Sequence, residues 1–153
     1  YGHLSEGSII LTIINRTAIV VYSAQQMFDL VNDVASYPKY MKNCVSAEII
    51  DQGGSFMVAK LDLKKGFLRQ SFTTRNVLYE PERISMTLDK GPFQKFSGEW
   101  SFTALDKTAC KVSLGLEFEF NSISVSLASG QLFTSVANSL VDALSSRAKE
   151  VYG

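Results

Sequence analysis

The sequence predicts an α+β domain: a curved antiparallel sheet of about seven strands wrapped around one long C-terminal helix. Three observations predict it. Apolar residues recur every three or four positions from Asn121 to Tyr152, apolar and polar residues alternate from Val45 to Phe120, and turn-forming residues at hairpin spacing divide the alternating stretch.

Taken in order, Ile13 to Tyr22 is rich in β-branched residues and reads as the first strand. Ser23 with Gln26 forms a capping box, followed by Met27, Leu30, Val31 and Val34 at helical spacing, so a helix starts at Ala24. It should break near Asp33 and resume briefly, until Tyr37 and Pro38 force the backbone out of the helical region. Tyr37, Tyr40 and Met41 are then three large side chains in a loop. They either pack onto the core or form the lid of a cavity.

Strands follow at Ser46–Asp51, Phe56–Leu63, Leu68–Tyr79, Arg83–Asp89, Lys95–Leu105 and Lys111–Phe120. Gly53-Gly54, Lys64-Lys65-Gly66, Glu80-Pro81-Glu82, Lys90-Gly91-Pro92 and Asp106-Lys107 supply the turns between them. The sixth run places Val112, Leu114, Leu116, Phe118 and Phe120 on one face. Its neighbour does the same with Phe96, Trp100 and Phe102, so one side of the sheet is dry.

The final helix carries Val125, Leu132, Phe133, Val136, Ala137, Leu140, Val141, Leu144, Ala148 and Val151 as one stripe. Asn121 and Ser122 suit its start, Arg147 and Lys149 the negative end of its dipole, and Gly153 a C-cap. At about 25 residues or more it spans roughly 40 Å. Only the dry face of a strongly twisted sheet is broad enough to cover that stripe, and a cavity follows where helix and sheet diverge.

At 153 residues the chain is one domain, read as residues 13–153 preceded by an N-terminal tail or remnant over 1–12. The apolar run Ile9 to Ile14 is too short to span a membrane and lacks the flanks of a signal peptide. Fifteen basic residues balance fifteen acidic ones, so net charge points to neither nucleic acid nor acidic lipid. Cys44 and Cys110 lack metal spacing and suit two buried thiols in a reducing cytosol.

Catalytic constellations are missing from the pattern. The single histidine, His3, lies in the tail, so a Ser/His/Asp arrangement fails, and the glycines form no phosphate cradle. Glu117 and Glu119 point away from Phe118 and Phe120, which makes them an outer face and not an acid/base pair. Two signals remain. On one face of Leu68–Tyr79, Phe72 and Leu78 bring Thr74 and Asn76 inward, either to satisfy each other and water or to meet the polar head of a ligand. Lys64, Lys65, Phe67, Leu68 and Arg69 make a basic and apolar hairpin tip, ordinarily a solvated turn but also suited to an anionic membrane or an RNA-containing partner.

An ordered set of short runs resembles the coenzyme Q-binding START-like family, within the polyketide cyclase/dehydrase superfamily, and in it the branch of bacterial ribosome association toxins. The runs are Arg16-Thr17-Ala18, Tyr22-Ser23-Ala24, Leu30-Val31-Asn32-Asp33-Val34, Tyr37-Pro38, Phe72-Thr73-Thr74-Arg75-Asn76, Asp89 with Gly91-Pro92-Phe93, Gly98 with Trp100 and Phe102, Phe118-Glu119-Phe120, and Arg147 through Tyr152. They cover about Asn15 to Gly153. Val21, Lys42 and Ala104 stand where proline is expected in relatives.

The resemblance implies a helix-grip (START/Bet v1-like) fold, a hydrophobic cavity, and neither catalytic apparatus nor cofactor, with ubiquinone or a related isoprenoid lipid as the bound ligand in support of respiration. It also implies, for the bacterial branch, binding to the large ribosomal subunit that blocks subunit joining. DNA is not an expected partner. The expected location is cytoplasmic, with peripheral contact at the inner face of the membrane. Cavity-lining residues are then expected to be Tyr37, Tyr40 and Met41 of the lid, and Phe72, Thr74, Asn76 and Met86 of the middle strands. Trp100, Phe102 and Phe118 are expected from the later strands, and Phe133, Val136 and Leu140 from the helix. The alternative is an aromatic polyketide cyclase or dehydratase, for which Asp29, Asp33, Tyr37, Tyr40 and Arg75 are the candidate acids, bases or cations.

Overall fold

The structure, a computed structural model, describes residues 11–121 and 127–153. His3, Ser122 and Val125 lie outside the described residues.

The chain enters strand β1 (Thr12–Val20), one residue earlier than expected, and then forms helix α1 (Ala24–Asn32). The Ser23 hydroxyl accepts from the Gln26 amide while the Gln26 side chain accepts from the Ser23 amide, so the capping box is complete. A 3-10 segment (Val34–Lys39) follows and runs through Pro38 instead of stopping there. Turn bonds around it are donated by the Ser36, Tyr40 and Met41 amides, none of which needs a proline N–H.

Six further strands make a continuous meander: β2 (Cys44–Gln52), β3 (Phe56–Lys65), β4 (Leu68–Tyr79), β5 (Arg83–Lys90), β6 (Phe93–Asp106) and β7 (Ala109–Phe120). The sheet order is β1-β7-β6-β5-β4-β3-β2, antiparallel throughout. Strands β1 and β2 are neighbours in sequence yet occupy opposite edges. The link between them, α1 with the 3-10 segment, therefore spans the sheet's width on the side where the core lies.

Helix α2 (Leu127–Tyr152) closes that side. Leu132, Phe133, Ala137, Val141, Leu144 and Ala148 are buried, as the stripe requires. Val151 is the exception, exposed in the last turn, where Tyr152 takes over the contact through its ring against Tyr22 and its hydroxyl to the Gln26 carbonyl at 2.9 Å. Gly153 stands at φ +84° with its N–H on the Lys149 carbonyl, the C-cap that the sequence indicates.

Leu144 is fully buried at the middle of this interface, whereas Val151 is half in water. Leu144→Ala should lower the unfolding free energy by about 3 kcal/mol in urea denaturation, and Val151→Ala by about 0.5 kcal/mol or less.

Candidate functional site

A cavity of about 70 Å³ lies where α2 and the concave face part. The 3-10 segment and the turn after it contribute Val34, Tyr37, Met41 and Cys44; β3 contributes Ala59, Leu61 and Leu63; β4 contributes Phe72, Thr74 and Asn76. Met86 of β5, Phe96 and Trp100 of β6, and Leu116 of β7 form the floor. Phe133, Val136, Ala137 and Leu140 of α2 form the roof. Gly98 sits between Phe96 and Trp100 because a Cβ there would stand 2.5 Å from the Leu116 side chain and 2.8 Å from that of Met86.

Ten of the thirteen residues expected at the cavity are brought together: Tyr37, Met41, Phe72, Thr74 and Asn76 among them, with Met86, Trp100, Phe133, Val136 and Leu140. Three are not. Tyr40 turns its ring edge-on to Tyr37 and lies under the Arg147 guanidinium at 5.3 Å, its hydroxyl buried and without a partner among the described residues. Phe102 stacks on Trp100 and is covered by Phe28 of α1, which fills that end of the concavity. Phe118 is sealed among Phe93, Phe120 and Phe133.

Eight lining residues were not expected from the sequence. Ala59 and Leu61 illustrate the signal that would find them: each is the cross-strand partner of a residue that was expected, Thr74 and Phe72. Directly paired residues share a face, so the β3–β4 register, once known, yields them.

The polar groups of the interior are few. The Thr74 hydroxyl donates to Asn76 Oδ1 at 2.9 Å. Gln70, two positions before Phe72 on the same face, is buried with its Oε1 unpartnered among the described residues. Tyr37 spends its hydroxyl on the Val31 carbonyl, and burial holds its pKa well above the usual tyrosine value. The Cys44 thiol is pushed up to about 11, chiefly by burial. Among the described residues these two are the cavity's titratable groups, both neutral at ordinary pH, and no charged side chain lines it.

Of the residues expected for acid, base or cation chemistry, Tyr37 alone lines the cavity. Asp29 and Asp33 are exposed, and Arg75 faces outward with its guanidinium 4.4 Å from the Phe56 ring centre. Lys64, Lys65, Phe67 and Arg69 are exposed at the β3–β4 turn.

Comparison with known proteins places this geometry. Residues 20–145 match the family model described as polyketide cyclase / dehydrase and lipid transport. A "Ribosome association toxin RatA" of Vibrio cholerae is 45% identical over 140 residues, covering 92% of this chain and 97% of the relative. A mitochondrial "Coenzyme Q-binding protein COQ10" of Drosophila melanogaster is 28% identical over 133 residues, covering 83% of this chain and 51% of the relative. Among solved structures, the Zhui aromatase/cyclase from Streptomyces sp. R1128 superposes with a TM-score of 0.76 at 20% identity, over 92% of this chain and 94% of that one. The shared fold is thus the helix-grip arrangement.

The raised Cys44 pKa has a defined consequence for stability. The folded state favours the protonated thiol, so its contribution is intact below the ordinary value of 9.0 and is lost as pH rises from there through about 11. Tyr37 acts in the same direction at higher pH. The urea midpoint should fall across the window from 9 to about 11, and Cys44→Ala should flatten that part of the fall.

Proposed function

The chain belongs to the polyketide cyclase/dehydrase and lipid transport family, and from that premise we propose that it is a non-enzymatic binding protein with two partners. It takes an uncharged, largely apolar ligand such as an isoprenoid quinone between sheet and helix. It also associates with the large ribosomal subunit, as its relatives named ribosome association toxins suggest.

One observation carries the ligand half: the cavity wall holds a hydroxyl and amide pair but no charge. A carboxylate or phosphate head would be buried there without a counter-charge, at a cost of several kcal/mol. A quinone instead offers ring carbonyls, which accept hydrogen bonds, and Asn76 brings amide N–H donors to the wall. The relative named as coenzyme Q-binding supports that choice. The present volume of about 70 Å³ is below the roughly 150 Å³ of a cavity that admits benzene, so the ring enters only as the cavity widens.

The ribosome half rests on near-complete coverage at 45% identity. Against cyclase chemistry stands the lining itself. A cyclase needs a group that exchanges a proton with the substrate; Tyr37 and Cys44 are held neutral and so are not bases, and their protons are directed to the Val31 and Ser46 carbonyls.

Trp100, the chain's single tryptophan, lines the cavity and reports on occupancy. Titration with a short-chain ubiquinone should quench its fluorescence, and Val136→Phe, which fills the roof, should abolish the quenching with the circular dichroism spectrum unchanged. No quenching, together with no lipid in native mass spectra of gently purified protein, would reject the ligand half. For the ribosome half, the protein should sediment with large subunits at low salt and dissociate as salt rises; absence from that fraction at every salt concentration counts against it.

A further inference from the structure

The β3–β4 turn is a two-residue hairpin in which Gly66 takes a positive φ of +61°, as the first central position of a type II′ turn requires. Phe67 is thereby set at the apex and is fully exposed, at 106% relative accessibility. Solvent gives a phenylalanine ring nothing in that position. Lys64, Lys65 and Arg69 surround it, all exposed, and none of the three forms an ion pair among the described residues.

The neighbouring elements add to the same sign. The loop before β2 is tied to the hairpin by two bonds, Lys64 N–H to the Asn43 carbonyl at 2.9 Å and the Asn43 side-chain amide to the Lys64 carbonyl at 3.0 Å. That clamp places exposed Lys42 beside the tip. The nearest acid in sequence, Asp62, is engaged by the Ser71 hydroxyl. The first turns of α2, Leu127 to Thr134, contain no acid and no base.

A groove of about 390 Å³ runs between the tip and that end of α2, lined by Lys65, Gly66 and Leu68 on one side and Ala128, Gln131 and Leu132 on the other. Leu127, at the described start of α2, is 80% exposed. Groove and cavity adjoin along the chain: Asn43 precedes Cys44, and Leu132 precedes Phe133, the first of each pair in the groove and the second in the cavity wall.

From this juxtaposition we infer that the β3–β4 tip and the first turn of α2 form a docking surface for an anionic lipid bilayer. Phe67 and Leu127 insert at the headgroup boundary while Lys42, Lys64, Lys65 and Arg69 meet lipid phosphates. An aliphatic Leu127 and a leucine-floored groove add nothing to a phosphate backbone, which favours a bilayer over RNA as the occupant. The docking does not depend on the cavity being filled, so it stands or falls separately from the ligand reading.

Flotation with vesicles decides it, comparing phosphatidylcholine alone with phosphatidylcholine mixed with phosphatidylglycerol. The protein should float with the mixed vesicles and stay in solution with the neutral ones. Phe67→Ala should weaken partitioning about tenfold. Lys64→Gln and Lys65→Gln should each weaken it about fivefold. Ile50→Ala, at an exposed apolar residue on β2, should change nothing. Urea midpoints matching the parent protein show that each variant is folded. Failure to float with the mixed vesicles, equal flotation with both, or flotation indifferent to Phe67 would overturn the inference. So would ribosomal RNA binding that is lost on Lys64→Gln and Lys65→Gln in a protein that ignores vesicles.

Discussion

Phe133 is the contact on which the placement of α2 depends. Its ring lies 4.8 Å from that of Phe118, 4.9 Å from Phe93, 5.2 Å from Phe72, 5.8 Å from Phe120 and 6.3 Å from Phe96, all edge to face. These five partners come from β4, β6 and β7, whose relative positions are fixed by the ladder through β5 and by the β6–β7 pairing. Each edge-to-face pair is worth about 0.5–1.5 kcal/mol beyond area burial. Seating Phe133 sets the rotation of α2 about its axis, and one turn on, Val136, Ala137 and Leu140 then face the part of the sheet they do not fill.

The cavity's neutrality follows from the same arrangement. Phe72 from β4 belongs both to the cluster and to the cavity wall, and it fixes which face of β4 is inward. Alternation then brings Gln70, Thr74 and Asn76 in and sends Arg69, Ser71 and Arg75 out. Charge is excluded from the interior by period-two geometry, while uncharged polar groups enter with it. The helix-grip fold is shared with an aromatase/cyclase, so the fold does not decide between binding and catalysis. The described lining residues offer hydrogen-bonding groups and two neutral titratable side chains, Tyr37 and Cys44.

Most of the architecture was legible because each element carried its own period. The strands from Phe56 onward emerged within two residues of their expected bounds, since turn residues such as Lys65-Gly66 and Lys90-Gly91 punctuate them locally. The capping box at Ser23 and the C-cap at Gly153 are likewise local chemistry. Pro38 misled because a rule about α-helix interiors was applied to a short 3-10 turn. The cavity was legible as a face but not as a volume. Phe102 and Phe118 share a face with true lining residues and differ only in what covers them, Phe28 in one case and a ring cluster in the other. Coverage is set by tertiary packing, which no period encodes. Gln70 also sits at the inward phase, two residues before Phe72, but a polar side chain carries no apolar signal by which its burial could be read.

The void itself carries a stability cost. At about 24 cal/mol per Å³, an empty space of about 70 Å³ is worth roughly 1.7 kcal/mol against a filled interior. The space is bordered by small residues, Ala59 and Ala137, where one larger apolar side chain would recover much of that. Elsewhere the interior is closely packed, with Phe28, Phe118, Leu114 and Leu144 all essentially without solvent contact. The hydrogen-bonded side chains of Thr74 and Asn76 line the same space. A void bordered by small apolar side chains, with one hydroxyl and amide pair in its wall, is thus where this part of the interior trades close packing for open space.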